Sequence, residues 1–344
     1  MELHFTKTNG PVDEAIERLF DIAGDVHHRD IVRDIILAAL KAGQENSGRM
    51  DLKIMNTTLK EMRFTAKVFN TYRGIRKVAA FGSARTRPDE PIYHMARDLG
   101  RRLADAGFMV ITGGGSGIMQ AVNEGAGPDR SFGVNIRLPF DQTQNPIVRG
   151  NHKSITYKYF FNRKIAFLKE SDAVVLFPGG FGTLDEAMES LTLVQTGKRA
   201  PLPLVLLDAP DGTYWTHWVN FIKEGLMDRG FITSNDPGLF EVVDSADAAV
   251  EKIKHFYSNY HSLRYVAEKL VLRLNRKISQ NEADELKARF DDILIYGGEI
   301  RPSGPLEQEE DEPNLSHLPR VVVDFNKKDF ARLHKLIDAI NGLG

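Results

Sequence analysis

Two glycine clusters are placed where backbone amides could do chemistry: ITGGGSGIMQ (residues 111–120) and LFPGGFGTLDE (residues 176–186). Consecutive glycines let N–H groups turn toward one point with no Cβ in the way, and each cluster leads into a helix whose N-terminus adds partial positive charge. Such loops suit a phosphate. One alone reads equally well as a tight strand-to-helix turn; two, at strand ends taken to be neighbours, favour a ligand. Thr183 either caps the second helix or offers its hydroxyl to a phosphate oxygen. Upstream, Arg163 and Lys164 fall at the start of a helix, where cations oppose the dipole. An anionic ligand would account for that conflict; a solvated basic pair is the plainer alternative. Downstream, Asp185, Glu186 and Glu189 crowd the first turns of the next helix, where carboxylates suit the dipole without any function. Glu186 and Glu189 nevertheless share a face that begins beside the expected phosphate. A nucleotide held there would present its ribose to them. N-glycoside cleavage passes through an oxocarbenium-like state, which a carboxylate near C1′ stabilises while orienting the attacking water.

The elements that must position these groups alternate along the chain. From Val78 the sequence runs VAAFGSA, a helix over about 92–106, FMVITGG, a helix from Gly117, and SFGVNIRL (131–138). A helix around 162–170, DAVVLFPG (172–179), a helix from Thr183, PLPLVLLD (201–208), a helix from Tyr214, a short FEVV and a helix over 246–258 follow. Near-continuous apolar strands separated by helices mean a parallel sheet covered on both faces, so the fold class is α/β, a Rossmann-like doubly wound sheet. Ligands in such sheets collect at the carboxyl ends of the strands, where both glycine clusters lie. The dinucleotide fingerprint fails: the turn after the first strand reads FGSARTRPDEP, and no acid ends the second strand. GxxxxGK[ST] is absent too, which leaves a monophosphate.

Helical extensions are expected at both ends. Residues 1–74 form the N-terminal one, with helical periodicity over 11–70 that puts Ile16, Leu19, Phe20 and Ala23 on one face and Ile31, Ile35, Ile36 and Leu40 on another. Residues 75–258 form the nucleotide-binding domain. Residues 259–344 comprise a helical stretch from Tyr260 to about Asp292, a solvated acidic linker including Glu307–Glu312, and a final strand and helix.

The chain has 344 residues, 42% hydrophobic and 27% charged, with a formal net charge of -2, all near globular averages. No broad positive field is present to bind a nucleic acid, and no apolar run approaches the length of a membrane span. The first residues carry no signal-peptide pattern, which points to a cytoplasmic location. With no cysteine, disulfides, thiolate metal sites and cysteine nucleophiles are excluded. His27 and His28, on an expected surface helix, have no convergent acids, so neither metal nor cofactor is expected. Tyr157, Tyr159, Phe160 and Phe161 suit a core more than a base-stacking platform. Arg85 and Arg87, after the first strand, face either ligand or solvent.

TGGGSGIMQAVNEGA, then NRK, then PGGFGTLDE together resemble the LOG ("lonely guy") family, whose signature is PGGxGTxxE with an upstream Arg-Lys pair. The likeness covers roughly residues 73–258. It implies a phosphoribohydrolase that releases the base from AMP or cytokinin riboside 5′-monophosphates, at least a homodimer, with active sites near the subunit contact. The resemblance assigns catalysis to Arg163 and Glu186. It assigns phosphate and ribose contacts to Gly114, Gly115, Ser116 and Gly117, to Gly179, Gly180, Gly182 and Thr183, and to nearby Lys164, with Ser83 and Thr192 as further substrate contacts. The chain departs from short members in its terminal extensions and in reading GGGSG where many have GGGSVG. A carrier or sensor of the same superfamily, binding a nucleotide without cleaving it, is the alternative; it would not require Arg163 and Glu186 together.

Overall fold

The computed structural model describes residues 8–45, 48–139, 143–309 and 312–343. The chain divides into two compact units, Met1–Phe64 and Thr65–Gly344. The first holds α1 (Pro11–Ala23), α2 (Arg29–Glu45) and most of α3 (Arg49–Asn70). Pro11 opens α1 with Asp13 and Glu14 in its first turn, as a helix start favours. Ile16 and Phe20 pack with Leu37 of α2. Leu19, Ile31, Ile35 and Leu40, expected on apolar faces, are exposed. His27 and His28 lie in the turn between α1 and α2 rather than on a helix, because Gly24, at φ 85, ends α1 before them.

The second unit is built on a seven-stranded sheet. Its elements run β1 (Lys77–Phe81), α4 (Pro91–Asp105), β2 (Met109–Thr112), α5 (Ile118–Ala126), β3 (Ser131–Ile136), β4 (Ser154–Tyr157), α6 (Phe160–Glu170), β5 (Ala173–Leu176) and α7 (Phe181–Gln195). β6 (Leu204–Leu207), α8 (Tyr214–Asn220), β7 (Glu241–Val243) and α9 (Ala246–Phe256) complete it. Every pairing is parallel, in the order β4-β3-β2-β1-β5-β6-β7. Successive side chains alternate between two cores: Ala79 and Phe81 join one layer, Val78 and Ala80 the other. This is the expected doubly wound α/β architecture.

Two features differ from expectation. β4 adds a strand after β3, unforeseen because its short SITY run has no continuous apolar stretch and its side chains alternate in exposure at the sheet edge. The strands carrying the glycine loops, β2 and β5, are not neighbours, since β1 lies between them. The chain winds from β1 outward to β4 and returns on the far side of β1, so the topological switch point falls between β1 and β5.

Beyond α9 the expected helix from Tyr260 is instead a hairpin, β8 (Tyr260–Val266) and β9 (Lys269–Leu274). Leu270, Leu272 and Leu274 enter one core and Val271 another, a period of two that only a strand satisfies. Then come α10 (Gln280–Phe290), opened by a Ser279–Glu282 capping box, β10 (Ile300–Ser303), β11 (Arg320–Val323) and α11 (Phe330–Asn341). The second sheet is antiparallel, in the order β10-β11-β9-β8. The stretch read as a solvated acidic linker contains β10, and its Glu309 is buried between Arg273 and Arg320, at 2.6 and 3.1 Å. Glu310 and Asp311 of that run lie outside the described residues.

Candidate functional site

A cavity of about 730 Å³ opens at the switch point, lined by the end of β1, the loop after β5 and the start of α7. Its wall is Phe81–Arg85 from the first strand end, Gly179–Glu186 from the second glycine loop, Met119 of α5, Phe160 and Arg163 of α6, and Tyr214 of α8. Among the described residues the N–H groups of Gly180, Phe181 and Gly182 donate to no protein acceptor; the first bonds of α7 begin at Thr183 and Leu184, both to the Gly180 carbonyl. These are the orphan donors of a helix N-terminus, in the form that binds anions. Gly180, not Thr183, is the N-cap. Thr183 is buried one turn in, and any Cβ at Gly179 would meet its Oγ1 at 2.1 Å.

The first glycine loop does not line this cavity. Gly113, Gly114 and Gly115 face a separate hollow of about 190 Å³ with Asn135, Arg137 and Thr156. The separation follows from β1 standing between the two strands. The tip of β1 nonetheless ties the loops together: the Ser83 amide donates to the Pro178 carbonyl at 3.0 Å, and the Ser83 carbonyl accepts from Ile118 at 3.0 Å. Ser116 Oγ donates to the Ala84 carbonyl at 2.8 Å, and a Cβ at Gly117 would strike the Ser83 carbonyl. Ser83, Ser116 and Gly117 thus act as a spine. Beneath the loop, Asn145 donates to the Gly115 carbonyl and to Asn123, which also accepts from Thr112.

Arg163 reaches the cavity from α6. Its Nε donates to the Val134 carbonyl at 2.9 Å, its guanidinium lies 5.3 Å from the Phe167 ring, and a Cβ at Gly113 would come within 2.5 Å of its Nη2. A side chain at 113 would make the ends of Arg163 and Met119 shift. Burial lowers its pKa, though an arginine stays charged. Glu186 faces the same cavity, 8% exposed, with Oε2 lacking any hydrogen-bond partner among the described residues. Burial raises its carboxyl to about 7, against the pull of Lys164 and Arg163. Arg163 and Glu186 make no ion pair among the described residues, so both stay available to a ligand between them.

The other expected contacts are differently engaged. Lys164 Nζ bridges Asp185 at 2.7 Å and Glu189 at 2.6 Å and does not line the cavity. Burial opposes its charge, but the two carboxylates outweigh it and raise its pKa. Asp185 touches the cavity; Glu189 does not. Thr192 is exposed, its hydroxyl bonded back to the Met188 carbonyl, and it borders a different, apolar hollow. Residue spacing did not single out Gly113, Met119, Phe181 or Tyr214. The signal for Tyr214 was its place just after β6, the strand beside β5. Among the described residues no cluster of acids or histidines could hold a metal.

The family described as "Possible lysine decarboxylase" matches residues 118–253. The chain is 30% identical over 186 residues to the cytokinin riboside 5′-monophosphate phosphoribohydrolase LOG4 of Arabidopsis thaliana, covering 53% of this chain and 81% of that protein. The chain belongs to the LOG family. It is also 29% identical over 206 residues to LOG3 of the same plant, 58% of this chain and 91% of that one. Among solved structures it is similar to the molybdenum cofactor carrier protein of Chlamydomonas reinhardtii, at 22% identity, covering 52% of this chain and 96% of that chain with a TM-score of 0.37. The family match begins at α5 and runs into α9. No helix among the described residues is long and apolar enough to cross a membrane.

Proposed function

We propose that this LOG-family chain hydrolyses the N-glycosidic bond of a nucleoside 5′-monophosphate, of the AMP or cytokinin riboside 5′-monophosphate type, giving free base and ribose 5-phosphate. The observation that carries the reading is the buried, unpartnered Glu186 carboxylate sharing a cavity with Arg163 and three orphan amides. The 5′-phosphate sits on the amides of Gly180, Phe181 and Gly182, with Arg163 supplying charge. The ribose then extends toward Glu186. As the C1′–N bond breaks, positive charge develops at C1′ and the ring oxygen, and the Glu186 carboxylate stabilises it. A water adds to C1′, its proton passes to Glu186, and the base departs with its bonding electron pair and takes a proton from solvent. A carboxyl that titrates near neutrality can accept and return that proton in each cycle. Phe160, Met119 and the exposed Phe181 ring border the mouth and suit a planar base. A cytoplasmic location belongs to the same proposal, as does the homodimer or larger assembly that the LOG resemblance implies.

The test is a panel of purine and pyrimidine nucleoside monophosphates, with the matching unphosphorylated nucleosides, assayed for free base by chromatography. Release from the phosphorylated members alone is expected. Tight binding of a nucleotide without release would assign the chain to the carriers instead.

A further inference from the structure

The loop that offers the orphan amides is itself held from two sides, by the end of β1 and by the start of α8. On one side the Ser83 amide, at the tip of β1, holds the Pro178 carbonyl at 3.0 Å. On the other, the Tyr214 hydroxyl donates to the next carbonyl, that of Gly179, at 2.7 Å. Tyr214 is not a loose surface ring. Its amide donates to Asp208 Oδ2 at 3.1 Å, the other carboxylate oxygen of Asp208 accepts from Ala209, and its ring meets Trp215 edge-on with centroids 4.8 Å apart. A Cβ at Gly212 would strike the Asp208 carboxylate at 2.1 Å, so the turn from β6 into α8 fits tightly around that acid.

A trans peptide sets the Gly180 N–H antiparallel to the Gly179 carbonyl. Holding that carbonyl therefore fixes where the first of the three orphan amides points. We infer that Tyr214 is a positioning residue: its hydroxyl, through the Gly179 carbonyl, sets the phosphate-binding amide of Gly180 and so tunes affinity for the phosphoryl group. Without it the Gly179–Gly180 peptide is free to rotate, since glycines impose little preference of their own. The inference rests on the phosphate lying on α7, as in the proposed reaction. It adds that α8, after β6, governs recognition of the phosphoryl group while leaving bond cleavage to Glu186.

Tyr214→Phe removes only the hydroxyl and keeps the ring against Trp215. Inorganic phosphate and ribose 5-phosphate are titrated calorimetrically into the parent protein and the variant, and both are assayed for base release and thermal unfolding. Phosphate and ribose 5-phosphate affinity should fall about fivefold to tenfold, the worth of one hydrogen bond. KM for the nucleotide should rise by a similar factor, with kcat within about twofold and unfolding little moved. Unchanged phosphate affinity, or a loss confined to kcat, overturns the inference. A parent protein that binds phosphate but releases no base would sink the proposed reaction and leave the Tyr214 comparison readable by calorimetry alone.

Discussion

At the scale of single residues, the proposed reaction turns on what burial does to one carboxylate. Glu186 lies within reach of the fields of two cations, which favour ionisation, yet desolvation wins and lifts it from the ordinary 4.5 to about 7. Lys164 is engaged by Asp185 and Glu189, so in the proposed reaction Arg163 is the cation that meets the phosphate. If the ionised form of Glu186 acts, kcat/KM should rise with pH through about 7 and level off above it. Glu186→Gln should remove that limb along with most of the rate. A profile flat from pH 5 to 9 in the parent protein, roughly spanning either side of neutrality, would contradict the role. Stability carries the opposite sign. The folded protein binds the extra proton, so folding loses stability as pH rises from about 4.5 to about 7. Glu186→Gln should therefore be more stable than its parent in denaturant at about pH 8, and nearly equal near pH 4.

At the scale of elements, the sheet does the aiming. β1 and β5 part at the switch point, and the loops beyond them make the cavity. The order of strands and most helices was legible in alternating apolar runs, because parallel strands buried on both faces leave a continuous hydrophobic signature. The motif PGGFGTLDE was likewise legible, since glycines and an acid at fixed spacing carry their own geometry. Which loops share a cavity was not. Spacing along the chain cannot say that β1 inserts between β2 and β5, and so it could not separate Gly114 and Gly115 from Gly179 and Gly180. That Lys164, Glu189 and Thr192 lie outside the lining of this cavity was not legible for a related reason: side-chain direction is set by packing. Gly179 shows how tight the element is. Gly179→Ala would press a Cβ onto Thr183, a branched side chain within the helix. The loop must then shift, and ribose 5-phosphate binding measured by calorimetry should weaken by about tenfold or more. Unaltered binding would show that the loop is looser than its contacts imply.

At the scale of the whole molecule, the C-terminal sheet was the least legible part. Its hairpin of polar and apolar residues reads as helix when windows are short, and its acidic loop reads as solvent-exposed when charge alone is counted. The loop is in fact pinned by Glu309. Burial works against its carboxylate, but the Leu306 amide with Arg273 and Arg320 outweighs it and holds it at about 2. Glu309→Gln would leave the buried Arg320 guanidinium without a carboxylate and Arg273 with Glu312 alone, at a cost of about 3 kcal/mol or more in urea unfolding. A change below about 0.5 kcal/mol would mean that water already reaches the cluster. The proposed hydrolysis meets its most direct test in a single comparison: base and ribose 5-phosphate released from a nucleoside monophosphate by the parent protein and by Glu186→Ala. Equimolar release by the parent, reduced about 100-fold or more in the variant while ribose 5-phosphate still binds, is the expected result. Equal release by both, or none by either, would contradict it.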